Sequence, residues 1–222
     1  MKVNFNIDNG VALIELDDGK KNAVTLDAAN LILEALEEAE AAADAIVLAG
    51  RPGAFCAGFD LATMTSGDQG AIGKLAGAGA TILLQLYGTG KPVVAACTGH
   101  AFTIGALWLL ASDTRIGEEG PYKFGMNETA MGMVLPDWAI EPLKARLNPT
   151  LFLPVVAQSV TLDPATAVTA GFLDKLVPSG QALDAALAAA RELAKLPASA
   201  YAGNKLVPRQ RALEIMSAGV AA

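Results

Sequence analysis

Three short segments carry residue types suited to chemistry on a carbonyl compound. The first is Ala54-Phe55-Cys56-Ala57-Gly58-Phe59-Asp60-Leu61. Small residues at 56–58 allow a ligand to approach the backbone closely. Asp60 is placed to accept hydrogen bonds at the start of a following helix, which would leave the Phe59 N–H pointing outward with no partner inside that helix. The second segment, residues 95–105, repeats the layout of apolar run, glycine turn and helix start. It therefore offers free N–H groups at the positive end of a helix dipole. Side by side, two such turns make a two-donor pocket for an oxygen that gains negative charge. The third segment, residues 123–132, holds Glu128 among apolar and small residues. Desolvation there raises a carboxyl pKa, and a carboxylate titrating nearer neutrality suits a general base. Plainer alternatives stand beside these: an ordinary strand–helix loop for the first segment, and a capping or surface carboxylate for Glu128.

Such groups need a scaffold, and the flanking sequence supplies alternating strands and helices. Residues 3–7 and 11–16 alternate apolar and polar side chains around Asp8-Asn9-Gly10, which predicts a hairpin. A polar loop over 17–22 leads to Thr25, a cap for a helix reaching about residue 43 with Ala29, Ile32, Leu33 and Leu36 on one face. Residues 45–49 and 92–97 are apolar runs, as strands covered on both faces are. Between them the sequence predicts a Gly-rich loop over 50–58, a helix start at 61–64, a flexible Gly/Ser stretch around 66–73 and a helix over about 78–87. Gly99 then turns the chain into a helix near 103–111. Strands alternating with helices argue for parallel βαβ units. Beyond Pro136 the reading is mostly helical: 137–147, 149–157, and a third helix opened by Asp163-Pro164 and closed by Gly171. A short strand within 172–177 and two Ala-rich helices, about 181–195 and 199–217, follow.

The 222 residues fit one domain, or one with a small appendage. Apolar residues make up 53% and charged residues 18%, so the chain can bury a core without staples and is not a disordered sequence. The net charge of −7, with no basic run or basic helix face, argues against a nucleic-acid partner. Cys56 and Cys97 have neither metal-ligand spacing nor a disulfide framework, so no metal site is predicted and free thiols fit a cytoplasmic enzyme. No secretory signal is predicted. The uncharged stretch 92–112 is long enough to raise the question of a membrane span. Thr98, Gly99, His100 and Thr103 in its middle favour a buried strand, turn and helix instead. His100, the single histidine, reads as pocket-lining or structural. Ser66 and Ser112 do not stand at a helix-start nucleophile position, which argues against a serine triad.

The first and second segments resemble the two signatures of the crotonase (enoyl-CoA hydratase/isomerase) superfamily, and residues 125–132 resemble its catalytic-glutamate segment. The hairpin, Asn22-Ala23 after a polar loop, and the Asp163-Pro164…Ala170-Gly171-Phe172-Leu173-Asp174 stretch match as well, so the likeness runs from about residue 1 to 200. It implies an α/β crotonase (ClpP-like) fold: repeated ββα units forming a spiral core over 1–135, and a C-terminal helical region over 136–222. It implies that the N–H groups of Phe59 and Ile104 hold a thioester oxygen and that Glu128 is the catalytic carboxylate. The substrate-binding residues it implies are Lys20, Lys21, Ala23, Ala57, Gly58, Asp60, Leu61, Gly105 and Leu107. Coenzyme A enters as part of the substrate, with no separate cofactor, and either Lys20 or Lys21 is a candidate for a phosphate contact.

The chain departs from the family where three glycines are usual, carrying Thr103-Ile104-Gly105. A backbone N–H is available from any residue but proline, so the oxygen site survives, narrowed by two side chains. Family hydratases use a second glutamate, and the matching position here is Leu107. Asn127-Glu128-Thr129 resembles the Δ3,Δ2-enoyl-CoA isomerase branch, which relies on a single glutamate. The expected activity is therefore a double-bond shift from 3-enoyl-CoA to 2-enoyl-CoA in fatty acid metabolism. The alternatives are an enoyl-CoA hydratase, or another lyase or thioesterase, using one glutamate, and a non-catalytic acyl-CoA-binding subunit. Bulky Phe102, Trp108 and Met131 suggest a confined acyl pocket. The resemblance also implies a homotrimer, with a hexamer as a further step; the reading of 92–112 as buried strand, turn and helix predicts no membrane association.

Overall fold

The computed structural model describes residues 2–221. The predicted hairpin forms: β1 (Lys2–Asp8) and β2 (Val11–Asp17) pair antiparallel, with Asn9 and Gly10 at positive φ in the turn between them. The polar loop leads to β3 (Ala23–Val24). Thr25 then caps α1 (Leu26–Ala42), accepting from the Ala28 N–H. The apolar run β4 (Ala45–Ala49) is buried throughout. It is followed by β5 (Gly53–Cys56), β6 (Gly58–Phe59), α2 (Leu61–Met64) and α3 (Gln69–Gly88). Next come β7 (Val93–Cys97), β8 (Gly99–Phe102), α4 (Ile104–Ala111), β9 (Thr114–Glu118) and β10 (Phe124–Gly125). After a 3₁₀ turn at Thr129–Met131 the chain forms α5 (Asp137–Arg146), α6 (Pro149–Val156) and α7 (Pro164–Ala170). It ends with β11 (Lys175–Val177), α8 (Ala182–Leu193), α9 (Ala198–Leu206) and α10 (Gln210–Ala221).

The main sheet runs β1-β2-β4-β7-β9-β11 and is parallel beyond the β1–β2 edge. β4, β7 and β9 are each followed by a second strand that leaves this sheet for a smaller one, ordered β10-β8-β5. Strand, strand, helix is the repeating unit, and its winding gives the spiral that the resemblance implied. Successive side chains of a strand point to opposite faces. Ile46 and Leu48 accordingly join the larger core with α1, α3 and α4, while Ala45, Val47 and Ala49 face Ala182, Ala186 and Ala190 of α8. Among the described residues no helix is long and apolar enough to cross a membrane.

Several expectations are corrected. The loop over 50–58 contains β5 and β6, and residues 99–102 form β8 before the helix begins. Residues 69–73 belong to α3: Asp68 accepts from the Gly70 and Ala71 N–H groups and starts the helix there, despite its glycines. The long helix over 199–217 is broken into α9, a 3₁₀ turn at Val207–Arg209 and α10, because Pro208 has no N–H to give and its ring crowds the preceding turn. β9 was not anticipated.

Candidate active site

β5 and β8 pair in parallel, Cys56 beside Ala101, so the two glycine turns that follow them lie next to each other. Three glycines let them close. A Cβ on Gly105 would stand 2.5 Å from Cys56 Cβ, so the first turn of α4 rests directly on β5. A Cβ on Gly79 of α3 would meet the Phe59 ring at 2.5 Å and Ile104 Cγ1 at 3.3 Å, which shows both side chains converging on one point. At Gly58 (φ +102°) a Cβ would collide with Thr103 Oγ1. Gly58→Ala is therefore expected to cost roughly 1–3 kcal/mol from the strained φ alone, seen as a lower Tm together with slower turnover. An unchanged Tm would mean the two turns are not in contact.

The local backbone differs from the expectation at Phe59. It lies in β6, paired with β3, and the helix begins only at Leu61, so its N–H is not a helix-start group. Ala57 and Asp60 donate their N–H groups to Lys21 O and Val24 O at 3.0 and 2.8 Å. Asp60 does cap α2, accepting from the Thr63 N–H and hydroxyl, and these bonds hold its carboxyl below the usual range. Asn22 ties the preceding loop to β5: it is fully buried and its amide donates to Leu16 O, Ala54 O and Phe55 O. Ile104 is the first residue of α4, at the positive end of that helix, as the sequence implied.

β10 pairs with β8, Phe124 beside Ala101, and this brings Glu128 to the same place. The backbone around Glu128 is held on both sides. Its carbonyl accepts from Met131 and Met133, Gly132 takes the left-handed conformation, and Thr129 and Ala130 bond Val156 O and the Ser159 hydroxyl. The carboxylate is not satisfied in the same way: Oε2 is buried with no hydrogen-bond partner among the described residues. Desolvation pushes the Glu128 pKa up to about 7, against the pull of the N–H groups of Glu128 and Asn127.

A cavity of about 520 Å³ opens here. Of the residues singled out from sequence, Lys21, Ala23, Ala57, Phe59, Leu61, Ile104, Leu107 and Glu128 line it. Lys20, Gly58, Asp60 and Gly105 do not: Lys20 is an exposed loop residue, and the others shape the turns from behind. His100 stands outside the cavity, its Nδ1 accepting the Lys123 N–H and its ring edge-on to Tyr122, in keeping with a structural role. Two of the three bulky side chains expected to confine an acyl group do not reach the cavity. Trp108 is buried in the core and donates to Gly79 O, and Phe102 does not reach the cavity. Met131 lines it at an open apolar rim with Leu61 and Val134, which are 43, 59 and 93% exposed. Asn127, Met64, Ala76, Trp138 and residues 133–136 also line the cavity. In the sequence, the apolar run Met133-Val134-Leu135 after a glycine is the signal for this rim.

A family model described as enoyl-CoA hydratase/isomerase matches residues 6–213. The chain belongs to the enoyl-CoA hydratase/isomerase family. Human mitochondrial enoyl-CoA delta isomerase 1 is 28% identical over 205 residues, covering 90% of this chain and 68% of that protein. The chain spans about two thirds of the length of the mammalian curated relatives it matches. The solved structure of the enoyl-CoA hydratase EchA3 from Mycobacterium ulcerans matches with a TM-score of 0.94 at 35% identity, covering 99% of this chain and 96% of that one. The structure of human mitochondrial delta3-delta2-enoyl-CoA isomerase matches at 0.90 and 25%, covering 100 and 91%. This member of the hydratase/isomerase family thus has the crotonase fold and is an enzyme of that type, with isomerases and hydratases both among its relatives.

Proposed function

We propose that the chain moves the double bond of a 3-enoyl-CoA to give the 2-enoyl-CoA. The observation that carries this reading is the isolation of Glu128. It is the one carboxylate among the described residues lining the cavity, and its Oε2 has no partner. The opposite requirement, a second group to hold and activate water, meets the apolar side chain of Leu107, which is 1% exposed.

The thioester oxygen lies between the Phe59 and Ile104 N–H groups. Glu128 takes a proton from C2, the C2–H electron pair moves into the thioester to form a dienolate, and the same carboxyl returns the proton to C4. No atom is gained or lost. The amides stabilise the oxygen as its charge grows, and losing one such donor elsewhere costs about 3–4 kcal/mol. The acyl group occupies the apolar wall at Leu107, Trp138 and Met64, and the coenzyme A portion leaves through the mouth at Lys21, Ala23 and Ala57.

A base must be ionised to act, so kcat/KM is expected to rise about tenfold per pH unit below pH 7 and to level off above it. A profile that falls through pH 7 would contradict the assignment of Glu128. Hydration of a 2-enoyl-CoA, with Glu128 activating water alone, is the second reading, favoured by the 35% identity to a protein named a hydratase. Comparing 3-enoyl-CoA isomerisation with crotonyl-CoA hydration separates the two. Faster isomerisation is the expected result, and faster hydration reverses the proposal.

A further inference from the structure

Thr103 combines three properties that do not usually occur together. Its backbone sits at φ 49°, ψ −122°, a conformation that favours glycine. Among the described residues the other non-glycine residues at positive φ are Asn9, Asn22 and Ser159, and Thr103 alone of the four is β-branched, for which the cost is greatest. It occupies the N-cap position of α4, where a threonine hydroxyl ordinarily accepts from the first turn, yet it makes no capping bond. Thr103 instead lines the cavity, and its Oγ1 is packed against Gly58.

That position is specific. Gly58 immediately precedes Phe59 and Thr103 immediately precedes Ile104, so the hydroxyl stands where the two turns touch, one residue along the chain from each amide assigned to the thioester oxygen. Its hydroxyl makes no bond to the first turn of α4. A strained backbone that persists at a site is a reason to look for a role there. We infer that Thr103 is a catalytic residue, its hydroxyl donating a third hydrogen bond to the thioester oxygen as the enolate forms. The assignment rests on the enolate reading above. It deepens that reading by adding a side-chain donor to two backbone ones.

The contribution grows with the charge on the oxygen, so it acts on kcat more than on KM. Thr103→Val keeps the shape, the branching and the strain but removes the donor. Its kcat for a 3-enoyl-CoA is expected to fall roughly tenfold to a hundredfold, the size of a hydrogen bond to a charged group, with KM within about threefold of the parent. Thr103→Ser keeps the donor and is expected to retain kcat within about threefold. Thr103→Gly relieves the strained φ, so it is expected to raise Tm while turning over as slowly as the valine variant. Thr103→Val with an unchanged kcat, a rise in KM in place of the fall in kcat, or Thr103→Ser as slow as Thr103→Val would each overturn the inference. Glu128→Gln measured alongside keeps the two claims apart. If it matches the parent, the base assignment fails while the three Thr103 variants still decide the donor, and a parent inert toward enoyl-CoA thioesters sinks both.

Discussion

Glu128→Gln is expected to lower 3-enoyl-CoA turnover by about 10²- to 10⁴-fold, the range for removing a positioned general base. Glutamine preserves the volume and the carbonyl of the side chain but cannot carry a proton from C2 to C4. The oxygen-binding groups are untouched, because two of them belong to the backbone of other segments. Binding of the thioester should therefore stay within a few-fold of the parent, and the loss should appear in kcat. A variant that retained near-parental turnover would place the base elsewhere, and among the described residues the cavity has no other carboxylate to offer.

Stability gives an independent check on the same substitution. The folded-state pKa of Glu128 is raised to about 7 from 4.5. Between those values the folded protein holds a proton that the unfolded chain releases, so this group's contribution to stability falls as pH rises through the window. The difference amounts to at most about 3 kcal/mol. Removing the ionisable group removes the penalty, so Glu128→Gln should melt at or above the parental Tm at pH 8. The parent's advantage should return only in acid. An inactive variant with a higher melting temperature at pH 8 separates a chemical role from a structural one.

How far the sequence revealed this site depends on the range over which each feature is encoded. Glu128, Phe59, Ile104 and Leu107 were found because each stands in a contiguous motif, and all four line the cavity. The short strands β5, β6, β8 and β10 were missed because two to four residues cannot display an alternation. They exist because neighbouring chain supplies their hydrogen bonds. The glycine-rich start of α3 is hidden for a related reason: propensity disfavours Gly70 and Gly73, and Gly79 is present for the space it leaves to Phe59 and Ile104, which no local pattern shows. Thr103 stands out in the sequence as a departure from glycine, but its backbone strain and the contact of its hydroxyl with Gly58 are properties of the folded chain. Phe102 and Trp108 suggest an acyl pocket by their bulk, and bulk alone does not say whether a ring faces a core or a ligand; of the bulky residues expected there, Met131 does line the cavity.

The largest expected loss of stability lies far from the cavity, at Asp113. Its carboxylate is nearly buried and gathers the C-terminal helices. Oδ1 accepts from Arg209, while Oδ2 accepts from Lys205 at 2.7 Å, Tyr201 at 3.1 Å and the Val93 N–H at 2.9 Å. Arg209 also lies over the Tyr87 ring, 4.3 Å from its centroid. The Lys205 side chain is 5% exposed, and desolvation lowers its pKa to about 8, with Asp113 opposing that fall. Asp113→Ala leaves this ammonium buried without a counter-charge, and removing one partner of such a pair costs roughly 3–5 kcal/mol. For a chain of this size that corresponds to a Tm lower by on the order of 10 °C. The sign of the pH dependence identifies the cause. Lys205 is depressed below its ordinary value, so between about pH 8 and 10.5 the unfolded chain binds the proton that the folded protein has lost, and stability from this group rises with pH. Without Asp113 the Lys205 pKa falls further, so the variant sheds its stranded charge at a lower pH than the parent, and its deficit should shrink as pH rises toward about 8. Pairing it with Lys205→Met removes the stranded charge and should recover about 0.5–3 kcal/mol as a coupling between the two positions. Because α10 packs Gly219 against Trp138, a cavity-lining residue, loosening these helices should also raise KM. A deficit independent of pH and unrelieved by Lys205→Met would instead assign the loss to the hydrogen bonds that Asp113 makes with Val93 and Tyr201.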